Sequence, residues 1–383
     1  MKRIIAVLLA VLLSISFAGF AEEEYTPELS EDNLRELVVT GVLSEGISAD
    51  DASLQRVITR GEFAEFISNT FSSVSAGYVA DKVLFKDVPS DHKQYNDIMY
   101  MVNSGFMKGY GDGRFLPEKE IKRNEVIKTI VSILGYDYMA EELGGYPGGY
   151  EAVAVSLNIT NGVSFDYGEH ILKDEILKII INSLDVPLTV LKAVGTDGLQ
   201  YHIDPTKTIR TEYMKLIKAK GLVTANEVVA VKGSKAAEGY IKVDESLHLK
   251  ISDLSFMDFV GLNVEFIYRP NEGDINELLL MYTTEKNKVL VLNRRDFVDL
   301  TSGSSANTLK YEINDKSRTA RITKNAVYIK NGVLLSNPSK RDFKNVVAGE
   351  IKLISTDGNS DYNVVIIRSF NNMLVGSKDA FKY

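Results

Sequence analysis

Cysteine and tryptophan are both absent from this 383-residue sequence. The absence of cysteine excludes disulfide bonds, thiolate metal sites, thiol nucleophiles and iron–sulfur clusters. Buried apolar surface must therefore hold the fold together, and the length allows this, because a chain of this size forms two or three domains with substantial cores. The absence of tryptophan removes the aromatic side chain that most commonly stacks on sugars.

Basic residues are fewer than acidic residues. The 44 lysine and arginine residues face 52 aspartate and glutamate residues, which gives a formal net charge of −8. This balance disfavours nucleic acid as a partner, because a basic stripe supplies most of the affinity in such complexes. It is compatible with a local basic groove that binds an acidic glycan.

Long apolar runs are confined to the N-terminus. Lys2 and Arg3 precede the apolar run Ile4–Leu13, and small residues follow it. This order predicts a secretory signal peptide over residues 1–21, cleaved after Ala21. The run is about half as long as a spanning helix, which needs about 20 apolar residues, so a membrane anchor is disfavoured. We expect an exported mature chain without a membrane span, located at the cell wall or cell surface.

Residues 31–194 carry apolar side chains at three- and four-residue steps between glycine-rich turns. This spacing predicts short amphipathic helices, which cannot stand alone and must pack on one another. The predicted helices are Glu62–Asn69, Tyr95–Ser104, Glu125–Leu134, Glu151–Leu157 and Glu175–Leu184. Residues 196–224 are predicted to connect this half to the next and to include a helix over Thr211–Ala219.

After Gly221 the pattern changes to short β-rich runs between turn clusters. Residues 261–280 and 349–367 share one order of features: glycine, strand, turn, Asp-x-Asn, strand. We expect two related hairpins in two β modules, over residues 225–300 and 301–383. Both modules are predicted to act as spacers or assembly surfaces.

Three of the predicted helices begin with an apolar residue, a cation two residues later and a glutamate two residues after the cation. The cations are Arg60, Arg123 and Lys173, and the glutamates are Glu62, Glu125 and Glu175. Thr59 and Glu62 predict a capping box, worth about 0.5–2 kcal/mol, and a first-turn glutamate suits the positive end of the helix dipole. A cation at that end is mildly unfavourable, so it needs either a structural ion pair or an anionic ligand. The sequence favours neither explanation.

The most complete copy of this pattern lies between residues 85 and 125. It begins with F-K-D-V-P at residues 85–89, continues through the glycine-rich loop Gly105–Pro117, and ends with I-K-R-N-E at residues 121–125. The arrangement resembles the S-layer homology motif, with its F-x-D-V-P start, G-x-x-x-G-x-x-D-G-x-F-x-P loop and I-T-R-x-E helix start. Degenerate copies flank it, so the resemblance predicts repeats over residues 25–76, 77–138 and 139–195.

The resemblance implies a fold and a ligand. In the S-layer homology family three repeats pack as an all-α, pseudo-threefold bundle, so we expect a multidomain α+β protein in which this bundle precedes the mostly β modules. Grooves between the repeats bind an acidic, often pyruvylated, secondary cell-wall polysaccharide attached to peptidoglycan. The resemblance therefore makes Arg60, Arg123 and Lys173 glycan-binding residues, and Lys173 the weakest, because lysine lacks the bidentate fork of arginine. Asp112 and Gly113 are either groove residues or the tight turn that Asp-Gly pairs favour.

No catalytic, metal or cofactor motif accompanies these features. The histidines, His92, His170, His202 and His248, are scattered, and H-E-x-x-H, G-x-S-x-G and phosphate-binding glycine loops are absent. Asp357–Asp361 begins like a calcium loop, but tyrosine and arginine stand at its sixth and twelfth positions, so we expect a hairpin turn. We therefore expect no enzyme activity, no cofactor and no metal.

Three functions fit the sequence. The first is a wall-binding protein whose β region serves display or S-layer assembly, with the wall polysaccharide and other copies of the chain as partners. The second is a wall-anchored surface hydrolase whose catalytic part lies in or beyond residues 225–383. The third is a structural protein whose degenerate repeats only pack against other proteins.

Overall fold

The protein contains both helices and sheets, which confirms the predicted α+β class. The computed structural model describes residues 29–71, 78–79, 84–165, 168–195, 198–271, 276–344, 348–359 and 361–370. The predicted signal peptide, residues 1–21, lies outside the described residues. In the part of the chain that is described, no helix combines the length and apolar character needed to cross a bilayer.

The described residues divide into two compact units. The first unit contains residues up to Asn69 and from Ser75 to Pro205, and the second contains Thr70–Val74 and residues from Thr206 onward. Each unit has its own secondary structure and is described by itself below.

Short helices form most of the first unit. They are α1 (Glu31–Val39), α2 (Arg60–Thr70), α3 (Tyr95–Asn103), α4 (Arg123–Ile133), α5 (Asp137–Glu142), α6 (Gly148–Ser156) and α7 (Lys173–Ser183), with a 3-10 turn at Ala52–Gln55. The five predicted helices lie within three residues of these bounds. Their apolar faces are buried, as Val126, Ile127 and Ile130 of α4 illustrate, so the helices are held by packing rather than by intrinsic propensity.

Three equivalent backbone hydrogen bonds join the starts of α2, α4 and α7. In each bond the first residue of one helix donates to a carbonyl four residues before the first residue of the next helix, and the third bond returns to the first helix. The bonds are Arg60 N to Lys119 O at 2.9 Å, Arg123 N to Glu169 O at 3.1 Å, and Lys173 N to Arg56 O at 2.9 Å. The helix starts therefore form a closed cycle.

The first unit also contains a β-hairpin, so the prediction that this half is entirely helical was wrong. Strands β1 (Leu188–Gly195) and β2 (Gly198–Asp204) pair antiparallel and run across the predicted boundary between residues 195 and 196. Pro187 precedes β1, and its carbonyl accepts a hydrogen bond from the Tyr136 hydroxyl at 3.0 Å. Proline stops the helical pattern there, and the following residues continue as extended chain.

The predicted helix over Thr211–Ala219 is also absent. A single π-type turn at Ile209–Tyr213 is capped by Thr208, whose hydroxyl accepts from Thr211 N at 3.1 Å. Lys215 then has a positive φ of 54°, which ends the turn, and strand β3 (Ile217–Asn226) follows. Pairing of β3 with a strand more than 40 residues away overrides the local helical pattern.

A closed five-stranded barrel forms one part of the second unit. Its strands follow the order β3-β4-β5-β7-β6. Besides β3 they are β4 (Tyr240–Val243), β5 (Leu247–Lys250), β6 (Asn263–Arg269) and β7 (Asn276–Thr283). All pairs are antiparallel except β5 with β7.

A seven-stranded sheet forms the other part of the second unit, in the order β8-β13-β14-β11-β10-β9, with β12 paired to β11. The strands are β8 (Lys288–Asn293), β9 (Phe297–Ser302), β10 (Ala306–Ile313), β11 (Lys316–Lys330), β12 (Val333–Leu334), β13 (Ala348–Ser355) and β14 (Tyr362–Phe370), and α8 is Lys340–Lys344. One sheet face shares a core with barrel residues through Ile329, Ile354 and Val364. The other face forms a separate core around Leu292 and Phe343.

The two predicted hairpins are confirmed, but the predicted module limits fall inside strands. β6 pairs antiparallel with β7, and β13 pairs antiparallel with β14. Strand β3 crosses residue 224 and β9 crosses residue 300, and β8 pairs with β13 from the predicted second module. The division between barrel and sheet therefore lies between β7 and β8, because strand pairing across distant segments decides it.

The turn between β13 and β14 is also confirmed as a hairpin turn. The Asp357 carboxylate accepts from the Ser355 hydroxyl at 2.7 Å and from Asn359 N at 3.0 Å. Asn363 adds a second closure, because its side-chain oxygen accepts from Thr356 N at 3.0 Å. The polar side chains that resembled a calcium loop thus bond to the turn itself.

Gly149 permits the close approach of α5 and α6, which yields a stability prediction. A Cβ atom on Gly149 would lie 2.0 Å from Ala140 O, whereas a Cβ on the adjacent Gly148 meets no atom within 4 Å. We expect Gly149→Ala to lower the free energy of unfolding by about 1–3 kcal/mol through overpacking. Gly148→Ala, the matched control, should stay within about 0.5 kcal/mol of wild type. Urea unfolding followed by circular dichroism at 222 nm measures both, and equal effects would contradict the prediction.

Glu265 on β6 is bound from both neighbouring strands. Lys220 Nζ lies 2.7 Å from Oε2, Lys218 Nζ lies 3.0 Å from Oε1, and the Tyr282 hydroxyl donates to Oε1 at 2.9 Å. Burial by itself raises the pKa of Glu265, but the bonds from Lys220, Lys218 and Tyr282 lower it from 4.5 to about 2. Because the folded-state pKa lies below the unfolded value, the ionised carboxylate stabilises the barrel above pH 4.5, and this stability is lost as the pH falls towards 2.

We expect Glu265→Gln to remove this acid-sensitive part of the stability, about 2 kcal/mol. Urea unfolding of the variant should show lower stability than wild type at about pH 6. The difference should shrink by more than half at about pH 3, because the wild-type carboxylate has by then lost most of its advantage. Glu312→Gln, at an exposed position of β10, controls for the loss of one carboxylate. A difference that is the same at both pH values would contradict the assignment.

Candidate functional site

Asp87 fixes the glycine-rich loop that follows α3. Its Oδ1 accepts from Phe115 N at 2.9 Å and its Oδ2 accepts from Leu116 N at 2.7 Å. Gly109 lies against Phe85, since a Cβ on Gly109 would come within 2.4 Å of the Phe85 ring. The F-K-D-V-P start and the loop are therefore packed together. Their contact depends on the Asp87 carboxylate and on the absence of a side chain at Gly109.

Asp112 and Gly113 lie in the turn of this loop. The Asp112 carboxylate accepts from Arg114 N at 3.0 Å and from Arg114 Nε at 2.7 Å, and the bond from Arg114 lowers the pKa of Asp112. Gly113 has a φ of 81°, and its carbonyl accepts from Lys86 N at 2.9 Å. Asp112 therefore closes the turn itself, and Gly113 joins the turn to the F-K-D-V-P segment.

Arg60 is buried, with 4% of its surface exposed, and its guanidinium group is held on three sides. Nε donates to Phe115 O at 3.1 Å, Nη2 donates to Lys108 O at 2.9 Å, and Nη1 pairs with Glu125 Oε1 at 2.9 Å. The guanidinium carbon also lies 4.6 Å from the centre of the Phe115 ring. The structure therefore supplies the ion-pair explanation for this cation, and Arg60 joins the start of α2 to the loop and to α4.

The three helix-start glutamates make one shared contact. In each, Oε2 accepts from the backbone N–H three residues earlier: Thr59 for Glu62 at 2.9 Å, Lys122 for Glu125 at 3.0 Å, and Leu172 for Glu175 at 2.8 Å. Thr59 returns the bond, since its hydroxyl accepts from Glu62 N at 3.2 Å, so the predicted capping box is confirmed.

The other oxygen, Oε1, has a different donor in each copy. Glu62 pairs with Arg56, Glu125 pairs with Arg60, and Glu175 accepts from Phe165 N at 2.9 Å. The bond from Arg56 is the main reason that the pKa of Glu62 is lowered. The three copies therefore share a backbone frame and differ in their charged contacts.

The other two predicted cations have different surroundings. Arg123 keeps 32% of its side chain exposed, contacts Glu151 at 3.4 Å and lies 5.1 Å from the centre of the Phe165 ring. Lys173 is buried, its Nζ lies 5.7 Å from the centre of the Phe66 ring, and burial lowers its pKa. Of the three equivalent cations, Arg123 is the one that retains substantial access to solvent.

A cleft of about 190 Å³ lies above the Arg60–Glu125 ion pair. Its lining residues are Arg60, Gly105, Phe106, Met107, Lys108, Glu125, Lys128, Thr129 and Tyr146. Lys108 and Tyr146 are exposed and Lys128 is half-buried, with its Nζ 5.1 Å from the centre of the Tyr150 ring. Of the predicted site residues, the cleft brings Arg60 and Glu125 together, while Arg123, Lys173, Asp112 and Gly113 are not in its lining.

Lys108, Lys128 and Tyr146 were not predicted from the sequence. Lys128 follows Glu125 by three residues on α4, so helical spacing alone places the two side chains on one face. Lys108 lies in the glycine-rich loop, and its own backbone carbonyl accepts the hydrogen bond from Arg60. No local signal connects Tyr146 to this cleft, because it reaches the site from the segment before α6.

Comparison with known proteins identifies this part of the chain. The family model of the S-layer homology domain matches residues 84–127, which include the loop, Lys108, Arg123 and Glu125. The chain is a cell-surface protein that carries an S-layer homology domain. The match covers the second of the three predicted repeats, which is the copy with the complete motif.

Curated relatives of the chain are also surface proteins. A cell surface protein of Thermoanaerobacter kivui is 22% identical over 395 residues, covering 99% of this chain and 47% of the relative. A middle cell wall protein of Brevibacillus brevis is 24% identical, covering 88% of this chain and 35% of the relative. A surface layer protein of Brevibacillus choshinensis is 26% identical, covering 56% of this chain and 20% of the relative. The chain thus spans about half or less of the length of these relatives. The matched domain and these relatives support a secreted protein located at the cell surface.

The buried position of Arg60 yields a stability prediction. Arg60→Ala leaves Glu125 and two carbonyl groups without their donor, so we expect a loss of about 3–5 kcal/mol in the free energy of unfolding. Arg35→Ala is the control, because Arg35 and Asp32 form an exposed pair at 3.6 Å on α1. The control should change stability by less than about 0.5 kcal/mol. Urea unfolding at 222 nm compares the two, and an unchanged midpoint for Arg60→Ala would show that the guanidinium group is not a structural link.

Proposed function

We propose that the helical unit anchors the exported chain non-covalently to the cell wall by binding an acidic secondary cell-wall polysaccharide. The β unit then serves display or surface-layer assembly, with other copies of the chain as partners. The observation that carries the proposal is the cleft above the Arg60–Glu125 pair, where two further lysines and a tyrosine surround a fixed ion pair. The match to the S-layer homology domain, which includes part of this cleft, supports the same function.

The charges of the cleft favour an anionic ligand. Glu125 is neutralised by Arg60, and its second oxygen is bound to Lys122 N, so the carboxylate adds little negative charge to the cleft. Lys108 and Lys128 then leave the lining with an excess of positive charge. An ammonium group attracts a sugar carboxylate as a point charge, and the exposed Tyr146 ring offers an apolar face beside it.

We also propose that the first unit consists of three S-layer homology repeats with pseudo-threefold symmetry. The cycle of backbone bonds among the starts of α2, α4 and α7 supports this arrangement, because each copy contributes one equivalent donor and one equivalent acceptor. The three capping glutamates support it as well. The side chains differ, however, so the three binding places need not be equal.

Within this arrangement we assign the strongest binding to the cleft beside Arg60 and a second place to Arg123. Arg123 is partly exposed beside the Phe165 ring, which leaves its guanidinium group accessible to a carboxylate. Lys173 is buried and its pKa is lowered by burial, so it is poorly placed to meet a glycan. In this proposal Arg123 remains a glycan-binding residue, whereas Arg60 mainly fixes the shape of the cleft beside it.

We propose that the chain acts by binding and not by catalysis. The carboxylate in the cleft is held by a guanidinium group and a backbone N–H, an arrangement that fixes a binding surface rather than a proton-transfer group. The relatives carry names of surface and cell-wall proteins. A hydrolase would require a catalytic centre elsewhere, and no described feature favours one.

Binding to purified wall sacculi tests the proposal with the full chain from residue 22. We expect the protein to bind native sacculi and not sacculi stripped of their secondary polymer, with weaker binding at high salt because the contacts are ionic. Lys108→Ala/Lys128→Ala should weaken binding at least about tenfold, the loss of about 1.4 kcal/mol or more expected for two charge contacts. Arg123→Ala should weaken it less.

Arg35→Ala is the matched control, because it removes an exposed cation of the same unit at a distance in sequence from the cleft. It should bind like wild type, and all variants should keep the wild-type circular dichroism spectrum. Equal binding to native and stripped sacculi would overturn the proposed ligand. Undiminished binding by Lys108→Ala/Lys128→Ala would remove the cleft as its site and favour a purely structural role of the repeats.

A further inference from the structure

Lys128 lies in the lining of the cleft and follows Glu125 by three residues on α4. At this spacing a glutamate and a lysine on a helix surface commonly form an ion pair. Here the carboxylate of Glu125 is already occupied, because Arg60 holds one oxygen at 2.9 Å and Lys122 N holds the other at 3.0 Å. The position of Lys128 in the cleft therefore depends on a different group.

That group is the ring of Tyr150 on α6. The ammonium nitrogen of Lys128 lies 5.1 Å from the centre of this ring, within the distance of a cation–π contact. Within the described ranges, no hydrogen bond or ion pair joins Lys128 to a carboxylate. A carboxylate would restrain the ammonium group and cancel its charge, whereas an aromatic ring attracts the cation and carries no net charge. Lys128 is thus restrained without being neutralised.

The Tyr150 ring is itself held in place. Only 3% of the residue is exposed. Its hydroxyl group donates to Asp137 Oδ1 at 2.9 Å, and Glu141 Oε1 lies 3.2 Å away as a second acceptor, both on α5. Ser132 donates to the same Asp137 oxygen at 2.6 Å, which links α5 to α4. Burial and the two carboxylates raise the pKa of Tyr150, so its hydroxyl group stays protonated and remains a donor.

The same ring contacts a second side chain of the cleft. The centre of the Tyr146 ring lies 6.3 Å from that of Tyr150 at an interplanar angle of 66°, an edge-to-face arrangement that aromatic pairs favour. Tyr146 lines the cleft and is 49% exposed, whereas Tyr150 is not in the lining. One buried ring therefore contacts both a charged and an aromatic residue of the lining.

We propose that Tyr150 is a positioning residue of the cleft. It holds the Lys128 ammonium group and the Tyr146 ring in fixed positions, so that a carboxylate-bearing sugar meets a charge and an apolar face together. This inference rests on the proposed function and deepens it, since the arrangement favours acidic sugars over anions in general. Tyr146 and Tyr150 both come from the segment predicted as the third repeat, so the cleft beside the second repeat is complete only when the two are packed together.

Equilibrium binding of residues 22–383 to native sacculi tests the role of the ring. Tyr150→Leu removes it, so binding should weaken about threefold to tenfold. Tyr150→Phe keeps the ring but loses the hydroxyl bonds, so this variant should unfold at a lower urea concentration and still bind within about twofold of wild type. A purely structural role would instead make the loss of binding follow the loss of stability. Tyr138→Leu is the control, because the Tyr138 ring on α5 stacks on Tyr201, which is not in the lining, and it should bind like wild type.

A double-mutant cycle tests whether Tyr150 acts through Lys128. In the Lys128→Ala background, Tyr150→Leu should weaken binding by about twofold or less, because the cation that the ring positions is gone. Salt dependence separates position from charge. Lys128→Ala removes a charge and should reduce the salt dependence of binding, whereas Tyr150→Leu leaves the charge in place and should not change it.

A measurement on the wild-type protein without ligand tests the contact itself. A proton on the face of an aromatic ring is shifted upfield, so in carbon-edited NMR of lysine-labelled protein the ε-methylene signals of Lys128 should lie upfield of the position usual for solvent-exposed lysine. Signals at the usual position would contradict the contact between Lys128 and Tyr150. This arm also decides the matter if circular dichroism shows that Tyr150→Leu does not fold.

The outcomes distinguish this inference from the function on which it rests. If wild type binds native sacculi but the folded Tyr150→Leu variant binds equally well, the positioning role is overturned and wall binding stands. The same conclusion follows if the effects of Tyr150→Leu and Lys128→Ala are simply additive. If wild type does not bind at all, the proposed function fails, and the lysine signals still support or contradict the contact.

Discussion

The helical unit is organised around the buried guanidinium group of Arg60. Its donors hold the carbonyls of Phe115 and Lys108 and the carboxylate of Glu125, so three segments separated in sequence are fixed by one side chain. Burying a charge is costly unless it is paired, and here each of the three guanidinium nitrogens has an acceptor. The same contacts shape the cleft, because they set the distance between the glycine-rich loop and α4. Arg60, which the sequence pattern suggests as a ligand-binding cation, is therefore first of all a structural link between the loop and α4.

The frame is repeated, but the charges on it are not. Each helix start bonds to the segment before the next, and each capping glutamate binds the same backbone position. The three cations around these shared contacts differ. Arg60 is buried and paired with Glu125, Arg123 is partly exposed, and Lys173 is buried near the Phe66 ring. Backbone bonds tolerate changes of side chain, whereas a charged site does not. A helix start can therefore keep its backbone contacts while the charged contacts around it differ.

Local signals predicted the local structure well. Three- and four-residue apolar spacing located the helices, and the glycine–strand–turn order located both hairpins. The β1–β2 hairpin was missed although its partners are adjacent in sequence. The other failures depend on distant partners: β3 in place of the helix at Thr211–Ala219, the barrel closed by β5 and β7, and the membership of β8 in the second sheet. The site followed the same rule, since the Thr59–Glu62 capping box was predictable, while the burial of Arg60 depends on a loop some fifty residues away.

The division into two units has a consequence for anyone who wishes to cut them apart. Thr70 and Phe71, at the end of α2, belong with the β unit, and the Phe71 ring lies 4.5 Å from that of Tyr213. Phe71 is almost completely buried. A fragment that ends after the β1–β2 hairpin would therefore retain Phe71 but lose its aromatic neighbour, and would expose a large apolar side chain in the middle of its sequence. The helical unit therefore cannot be separated from the β unit by a single cut without replacing that ring.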